Sequence, residues 1–320
     1  MIGALLTALF FGVTPVCANQ AIRRIGFVRA NAGRLVLAAL VLGLWAFAFG
    51  QGLSGPLWWF FGAGAVGFGL GGMCMFLALP RLGAPLSSLM VESLAAVFAA
   101  VLAWAWYGDA VAAPRLFWAA LVLAGVSVGL WPYIKGGARA SGASSGVSLG
   151  ALWAVLAGLG QAVSIVVSRK ALLSMKLAGT PVSLPTASFQ RLLGGLCAAL
   201  AVGLLLRWLS RSARARKAAP GAAGSGAGRG VAPFSASGLA PGPAWMWVGL
   251  NALFGPILGV TCLIWALKTM QPGLAQAIAA TAPLVCAPFS LWIDRHSPPG
   301  LYYLGCLLAI AGLTGVYLTG

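Results

Sequence analysis

Apolar runs long enough to cross a bilayer recur ten times along this chain. They lie at about 2–22, 30–49, 57–79, 84–107, 115–134, 149–169, 187–206, 245–267, 272–293 and 300–319. The hydrocarbon core of a membrane takes a helix of about 20 apolar residues. Backbone polar groups in lipid must find partners inside the protein, and these runs do not alternate apolar with polar residues, so they are helices and not strands of a barrel. At 61% hydrophobic and 7% charged residues, the chain holds more apolar surface than a soluble domain can bury. The predicted fold class is an all-α integral membrane protein with ten transmembrane helices.

The formal net charge of +17 would suggest nucleic acid in a soluble protein. Here the basic residues lie mostly between the apolar runs, where Lys and Arg orient helices and meet anionic headgroups. No basic folded domain exists to hold nucleic acid, so membrane lipids are the expected partners of that charge. Thirteen of the 20 Lys and Arg residues fall in connections that follow odd-numbered runs, and five in the others. The positive-inside rule puts the first set in the cytoplasm and both termini outside. The first run, beginning "MIGALLTALFFGV", has no basic segment before it and carries Arg23–Arg24 after it. It reads as a retained span, not a cleaved signal peptide. The longest connection, about 207–243, holds Arg211, Arg214, Arg216 and Lys217 and then "PGAAGSGAGRG". That composition predicts a disordered basic loop.

The two halves of the chain align with one another. Arg34 meets Arg191 at an offset of 157 residues; Gly67, Gly71 and Cys74 meet Gly255, Gly259 and Cys262 at 188, as Trp104 meets Trp292. The offset grows only within connections, the larger step at the low-complexity insertion. Each half holds five spans, and an odd number turns the second half over relative to the first. The layout is therefore two inverted five-helix repeats, an architecture of many secondary transporters. The first repeat covers 1–134, a linker 135–148, and the second repeat 149–320.

With these residues in place, the chain resembles the EamA-type, ten-helix members of the drug/metabolite transporter superfamily. The likeness rests on the five-plus-five layout, on Arg34 and Arg191 early in the second helix of each half, and on a Pro-led fourth helix ending in "YGD". Gly108–Asp109 stands where the family usually has Gly-Glu, and "DRHSPPG" departs further in the second half. The resemblance implies transport of a small metabolite, often export, through a cavity between the halves. It also implies termini inside, opposite to the charge count.

An ionisable side chain at mid-membrane costs at least about 2.5–3.5 kcal/mol, so such residues turn to the protein interior. Glu92 lies inside the fourth run and Arg34 inside the second. Both helices start on the same membrane side, and the depths differ by about 6 Å. A Glu92–Arg34 pair is expected, either as a structural lock between helices or as a coupling and gating element with protons as the coupling ion. The equivalent of Glu92 in the second half is Ala280, which leaves Arg191 without an acid. It is a clamp for a carboxylate or phosphate or a residue that snorkels to the headgroups. Gln190 beside Arg191, Gln161 at the equivalent of Thr14, Thr14 itself and Asn251 complete the expected substrate contacts; each has an ordinary alternative as an interhelical hydrogen bond.

Nothing here forms an enzyme constellation. His296 is the single histidine, and no P-loop sequence is present. The six cysteines form no CxxC pair and sit in apolar runs, where cysteine packs as a small apolar residue. No metal and no cofactor are expected. The function read from the sequence is a secondary-active transporter, of exporter type, for a small polar metabolite of the amino acid or organic anion class. It would work by alternating access in the cytoplasmic (inner) membrane of a bacterium, as a monomer or homodimer. The alternatives are a lipid-phosphate flippase or other lipid-handling protein, suited by the basic 207–217 stretch, and a scaffold that binds partners through the 207–243 loop.

Overall fold

The computed structural model describes residues 1–108, 112–140, 144–217, 244–294 and 300–318, and among them every regular element is a helix. In chain order they are α1 (Ile2–Ile25), α2 (Phe27–Phe49), α3 (Leu57–Leu82), α4 (Ala84–Tyr107), α5 (Ala113–Ala140), α6 (Ser144–Leu177), α7 (Leu184–Lys217), α8 (Ala244–Leu267), α9 (Pro272–Ala279), α10 (Ala282–Asp294) and α11 (Gly300–Leu318). Eight stretches among the described residues are long and apolar enough to cross a membrane: α1 to α4, α8, Ser148–Leu177 of α6, Leu184–Leu205 of α7, and Pro272–Trp292 across α9 and α10. In α5 and α11 the apolar stretches are shorter, Leu116–Gly129 and Tyr303–Gly312. The apolar runs thus turn out as helices throughout, as lipid requires of them.

The core is built largely of alanine. Ala4, Ala38, Ala46, Ala95, Ala99, Ala157, Ala275 and Ala287 are buried, with larger side chains such as Phe60, Leu35 and Ile264 between them. Small residues let helix backbones approach closely, the usual source of cohesion where lipid removes the hydrophobic driving force. The backbones of α3 and α7 come closest: a Cβ on Gly64 would fall on the carbonyl of Arg191, and one on Gly194 on that of Phe61. The matched glycines of α3 and α8 likewise pack inside the chain, Gly67 on Ser164, Gly71 on α6, Gly255 on Thr14 and Gly259 on Phe11. The outer face is apolar as well, with Trp58, Leu44 and Phe49 exposed.

Consecutive helices are joined with little chain. Gly26 alone separates α1 from α2 and Gly83 alone separates α3 from α4, at φ +79° and +78°. A Cβ would meet nothing at either place, so the left-handed backbone, not crowding, calls for glycine there. Two other connections are bound to one another. Gln51, after α2, donates from Nε2 to the carbonyl of Pro181 at 3.1 Å and accepts from the amide of Ser183 at 3.0 Å. Its own amide donates to Thr186 Oγ1 at 2.8 Å.

Three features add to the sequence reading. First, the linker expected at 135–148 is helical at 135–140 and 144–148, since α5 and α6 run past their apolar stretches. Second, the expected loop at 207–243 begins as helix: α7 continues to Lys217, through Ala, Arg and Leu residues that favour helix. Residues 218–243 lie outside the described residues. Third, α3 and α8 each widen into a π-helical segment, Ala65–Gly71 and Leu253–Gly259. These segments start and end 188 residues apart, the offset found between the halves in sequence. Pro256, which lacks the amide hydrogen for an ordinary helical bond, accounts for the second. The ninth run is broken at Ala280–Thr281, between α9 and α10, and Ala280 is the position that matches Glu92.

Candidate functional site

A cavity of about 110 Å³ opens between the helices; a bound water needs about 10–15 Å³ of such space. Its wall draws on both halves: α1 gives Thr14, α2 Arg34, α3 the π-helical Gly67 and Phe68, α4 Glu92, α6 Gln161 and Ser164, α7 Arg191, and α8 Gly255 and Pro256. The π segments thus face one another's halves at the cavity, as such bulges often do at working sites. Much of the remaining lining is apolar, including Phe11, Met75 and Leu263.

Three ionisable side chains meet this space: Arg34 and Glu92 at 7% exposure each and Arg191 at 3%. The expected Glu92–Arg34 ion pair is not formed. Glu92 Oε2 instead accepts two amide hydrogen bonds, from Gln161 Nε2 at 2.9 Å and Gln276 Nε2 at 2.6 Å. Both glutamines belong to the second half of the chain, on α6 and α9, so the acid of the first half is held across the seam. Arg34 turns the other way. Its Nε donates to Asn31 Oδ1 at 2.9 Å, one helical turn back on α2. Its guanidinium lies 4.7 Å from the centroid of Phe76, with Nη2 over Gly72, where a Cβ would stand 2.9 Å away. Arg34 and Glu92 do line one cavity. The sequence could not tell which neighbour reaches the acid first.

Arg191 is bound differently. Its Nη2 donates to Ser164 Oγ at 2.9 Å, and the guanidinium lies 5.5 Å from the centroid of Phe68. Nε and Nη1 are buried with no hydrogen-bond partner. An unpaired buried donor is expensive and a buried unpaired charge more so. This is the least satisfied cation of the cavity.

Of the other expected contacts, Gln161 and Thr14 line the cavity, Thr14 with its hydroxyl donating to Phe10 O at 3.0 Å. Gln190 and Asn251 do not. Successive residues on a helix point about 100° apart, so with Arg191 facing the cavity Gln190 faces elsewhere. Its Nε2 donates to the carbonyls of Gly52 and Ser54 at 3.2 and 2.8 Å. Asn251 joins α8 to α1 by donating to Thr14 O at 3.1 Å. Ser164 and Gln276 are the site residues that sequence reasoning left out. Ser164 lies three residues after Gln161, on the same helical face, and that spacing was the available signal. For Gln276 the signal was a polar side chain inside the ninth apolar run.

Among the described residues no group of His, Cys, Asp and Glu is arranged to hold a metal. Cys17, Cys74, Cys197, Cys262 and Cys286 are free thiols. His296 lies outside the described residues. Beyond the spans, Lys268 is half-buried, which lowers its pKa, and it donates to Val182 O at 2.9 Å.

Residues 1–130 match the EamA-like transporter family, which bears out over that stretch the resemblance read from Arg34, the Pro-led fourth helix and its "YGD" end. The fold is similar to that of a solved structure described only as "Crystal structure of protein", with a TM-score of 0.68 and 18% identity, over 99% of this chain and 96% of that one. No curated protein matches the chain. Fold and apolar helices together define a multi-pass α-helical membrane protein whose first 130 residues are similar to EamA-like transporters.

Proposed function

We propose that this chain is a secondary-active transporter, of exporter type, that moves a small polar metabolite of the amino acid or organic anion class by alternating access. Ten helices cross the bacterial cytoplasmic membrane as two inverted five-helix repeats, and the cavity between them is the substrate site. One observation carries this reading: Arg34, Glu92 and Arg191, from helices far apart in sequence, meet in a single buried cavity at the seam of the halves. Charge is expensive to place inside a membrane protein, and where it lines an interior space it marks a solute path. The paired π segments and the helix broken at Ala280–Thr281 support the same reading, since broken helices at mid-membrane supply the movable parts of such transporters.

Arg191, with Ser164 and Gln161 beside it, contacts substrate, and Thr14 closes the wall opposite. Glu92, held by Gln161 and Gln276, and Arg34 gate or couple the cycle, with protons as the coupling ion. A carboxylate bound by two amides of the other half ties the halves together, and protonation removes its charge. Nothing in the fold or the family match favours the lipid-handling alternative.

The test is solute flux in proteoliposomes that contain the purified full chain. Saturable exchange of a labelled amino acid or organic anion, lost in Arg191→Gln, is expected. Absence of flux for every soluble solute of these classes, with a folded protein, would overturn the reading.

A further inference from the structure

We propose that the cavity is a receptor for a small organic monoanion, a carboxylate on an apolar body, that docks on the guanidinium of Arg191. The inference rests on the transporter reading of the same cavity and adds the class of its cargo.

The charge count of the cavity leads to it. Two guanidinium groups and one acid face the space. Glu92 accepts two amide hydrogens at one oxygen, which favours its carboxylate form, and it is counted in that form. The empty cavity then carries one net positive charge. A monoanion brings the loaded cavity to neutrality, whereas a zwitterion leaves the positive charge uncompensated and a dianion reverses it. Buried net charge is what a membrane interior tolerates least, and a carrier must bring its loaded site through a closed state.

The position of the free donors agrees. Arg34 already has an acceptor in Asn31 Oδ1. Arg191 likewise has one neutral acceptor, a serine hydroxyl, but its Nε and Nη1 are buried with none. A carboxylate is the anion whose geometry fits a guanidinium. Much of the cavity lining is apolar, with Phe11, Phe68, Ile165 and Val260, which suits a hydrocarbon or aromatic body and offers little to a strongly hydrated dianion. An amino acid would need an acid for its ammonium group. The one acid in the lining already takes two amide donors from the opposite half.

The experiment is calorimetric titration of the purified full chain with four probes of similar size: benzoate, the neutral isostere benzamide, the zwitterion phenylglycine and the dianion isophthalate. Benzoate is expected to bind at least about tenfold more tightly than each of the others. Arg191→Gln should cut benzoate affinity about tenfold or more and leave benzamide unchanged. Glu92→Gln raises the empty cavity to two net charges, so isophthalate should gain on benzoate. Equal binding of benzamide, tighter binding of phenylglycine or isophthalate by the unmodified protein, or an unaltered order in Glu92→Gln would each overturn the proposal. Should Arg191→Gln fail to fold, Arg191→Lys keeps the charge without the planar fork, and benzoate affinity must fall while that of benzamide is unchanged. Benzoate binding without flux of any solute would sink the transporter reading and leave this one standing. Flux of a zwitterion with no benzoate binding would do the reverse.

Discussion

Arg34 and Arg191 occupy matched places, early in the second helix of each half, and both reach one cavity. Their surroundings differ. Arg34 leans on its own helix, on Asn31, and covers Phe76 of a helix in its own half. Arg191 reaches outside its helix to Ser164 and covers Phe68 of the other half, with two nitrogens left over. The repeated position sets where a cation sits; the unrepeated neighbours set whether it is settled or available. Glu92 carries the same lesson, since its match in the second half is Ala280, where the helix breaks instead.

The largest expected effect sets the backbone of Arg191 against the side chain of Arg34. A Cβ at Gly64 falls on the Arg191 carbonyl, which cannot swing away. Overpacking a tight contact costs about 1–3 kcal/mol or more, so Gly64→Ala should lower Tm by several degrees or abolish the folded peak in detergent. Gly72→Ala meets only the far end of the Arg34 side chain, so its Tm should stay near that of the unmodified protein. Equal damage in the two variants would show that Arg34 is held as firmly as Arg191.

Next come the charges. Hydrogen bonds to charged groups contribute about 1.5–3 kcal/mol. Arg191→Gln should therefore weaken substrate binding about tenfold to a hundredfold, read as a rise in the apparent KM of flux. Arg34→Gln leaves Asn31 Oδ1 without its buried donor, and its main cost should appear in Tm, with a smaller change in KM. An effect of the reverse order would exchange the roles of the two residues.

Glu92 gives a finer cut. Glu92→Gln keeps an oxygen for Gln161 and Gln276 but no charge, so Tm should hold while the dependence of flux on pH flattens. Glu92→Ala strands two buried amides, at about 1–3 kcal/mol, and Tm should fall. If both variants keep the pH profile of the unmodified protein, Glu92 is a structural tie and the coupling group lies elsewhere.

Much of this molecule could be read in advance, for reasons of period and cost. Lipid forces every long apolar run to be a helix, and buried charge is rare enough to point inward, so ten runs and three ionisable residues marked the fold and the cavity. What could not be read depends on contact between helices. Nothing in the local pattern "LMVESL" tells Glu92 whether Arg34 or two glutamines will reach it, because the donors lie 69 and 184 residues away. The π segment of α3 holds no proline to announce it, whereas Pro256 within the π segment of α8 and Pro283 just past the break at Ala280–Thr281 were signals the sequence did hold.

The smallest expected effect tests that limit on two adjacent residues. Gln190 and Arg191 were both expected at the substrate, yet Gln190 ties α7 to the connection after α2 through the carbonyls of Gly52 and Ser54. Gln51 makes a parallel tie to Pro181 and Ser183 close by, so the connection has a second hold when one is removed. Gln190→Ala loses two neutral hydrogen bonds, each about 0.5–1.5 kcal/mol net, and relieves an amide oxygen that has no partner. These partly offset each other. Tm should fall by a few degrees at most, and benzoate affinity should not move. A loss of affinity as large as that of Arg191→Gln would place Gln190 in the substrate path, reached in a state of the cycle in which α7 has turned.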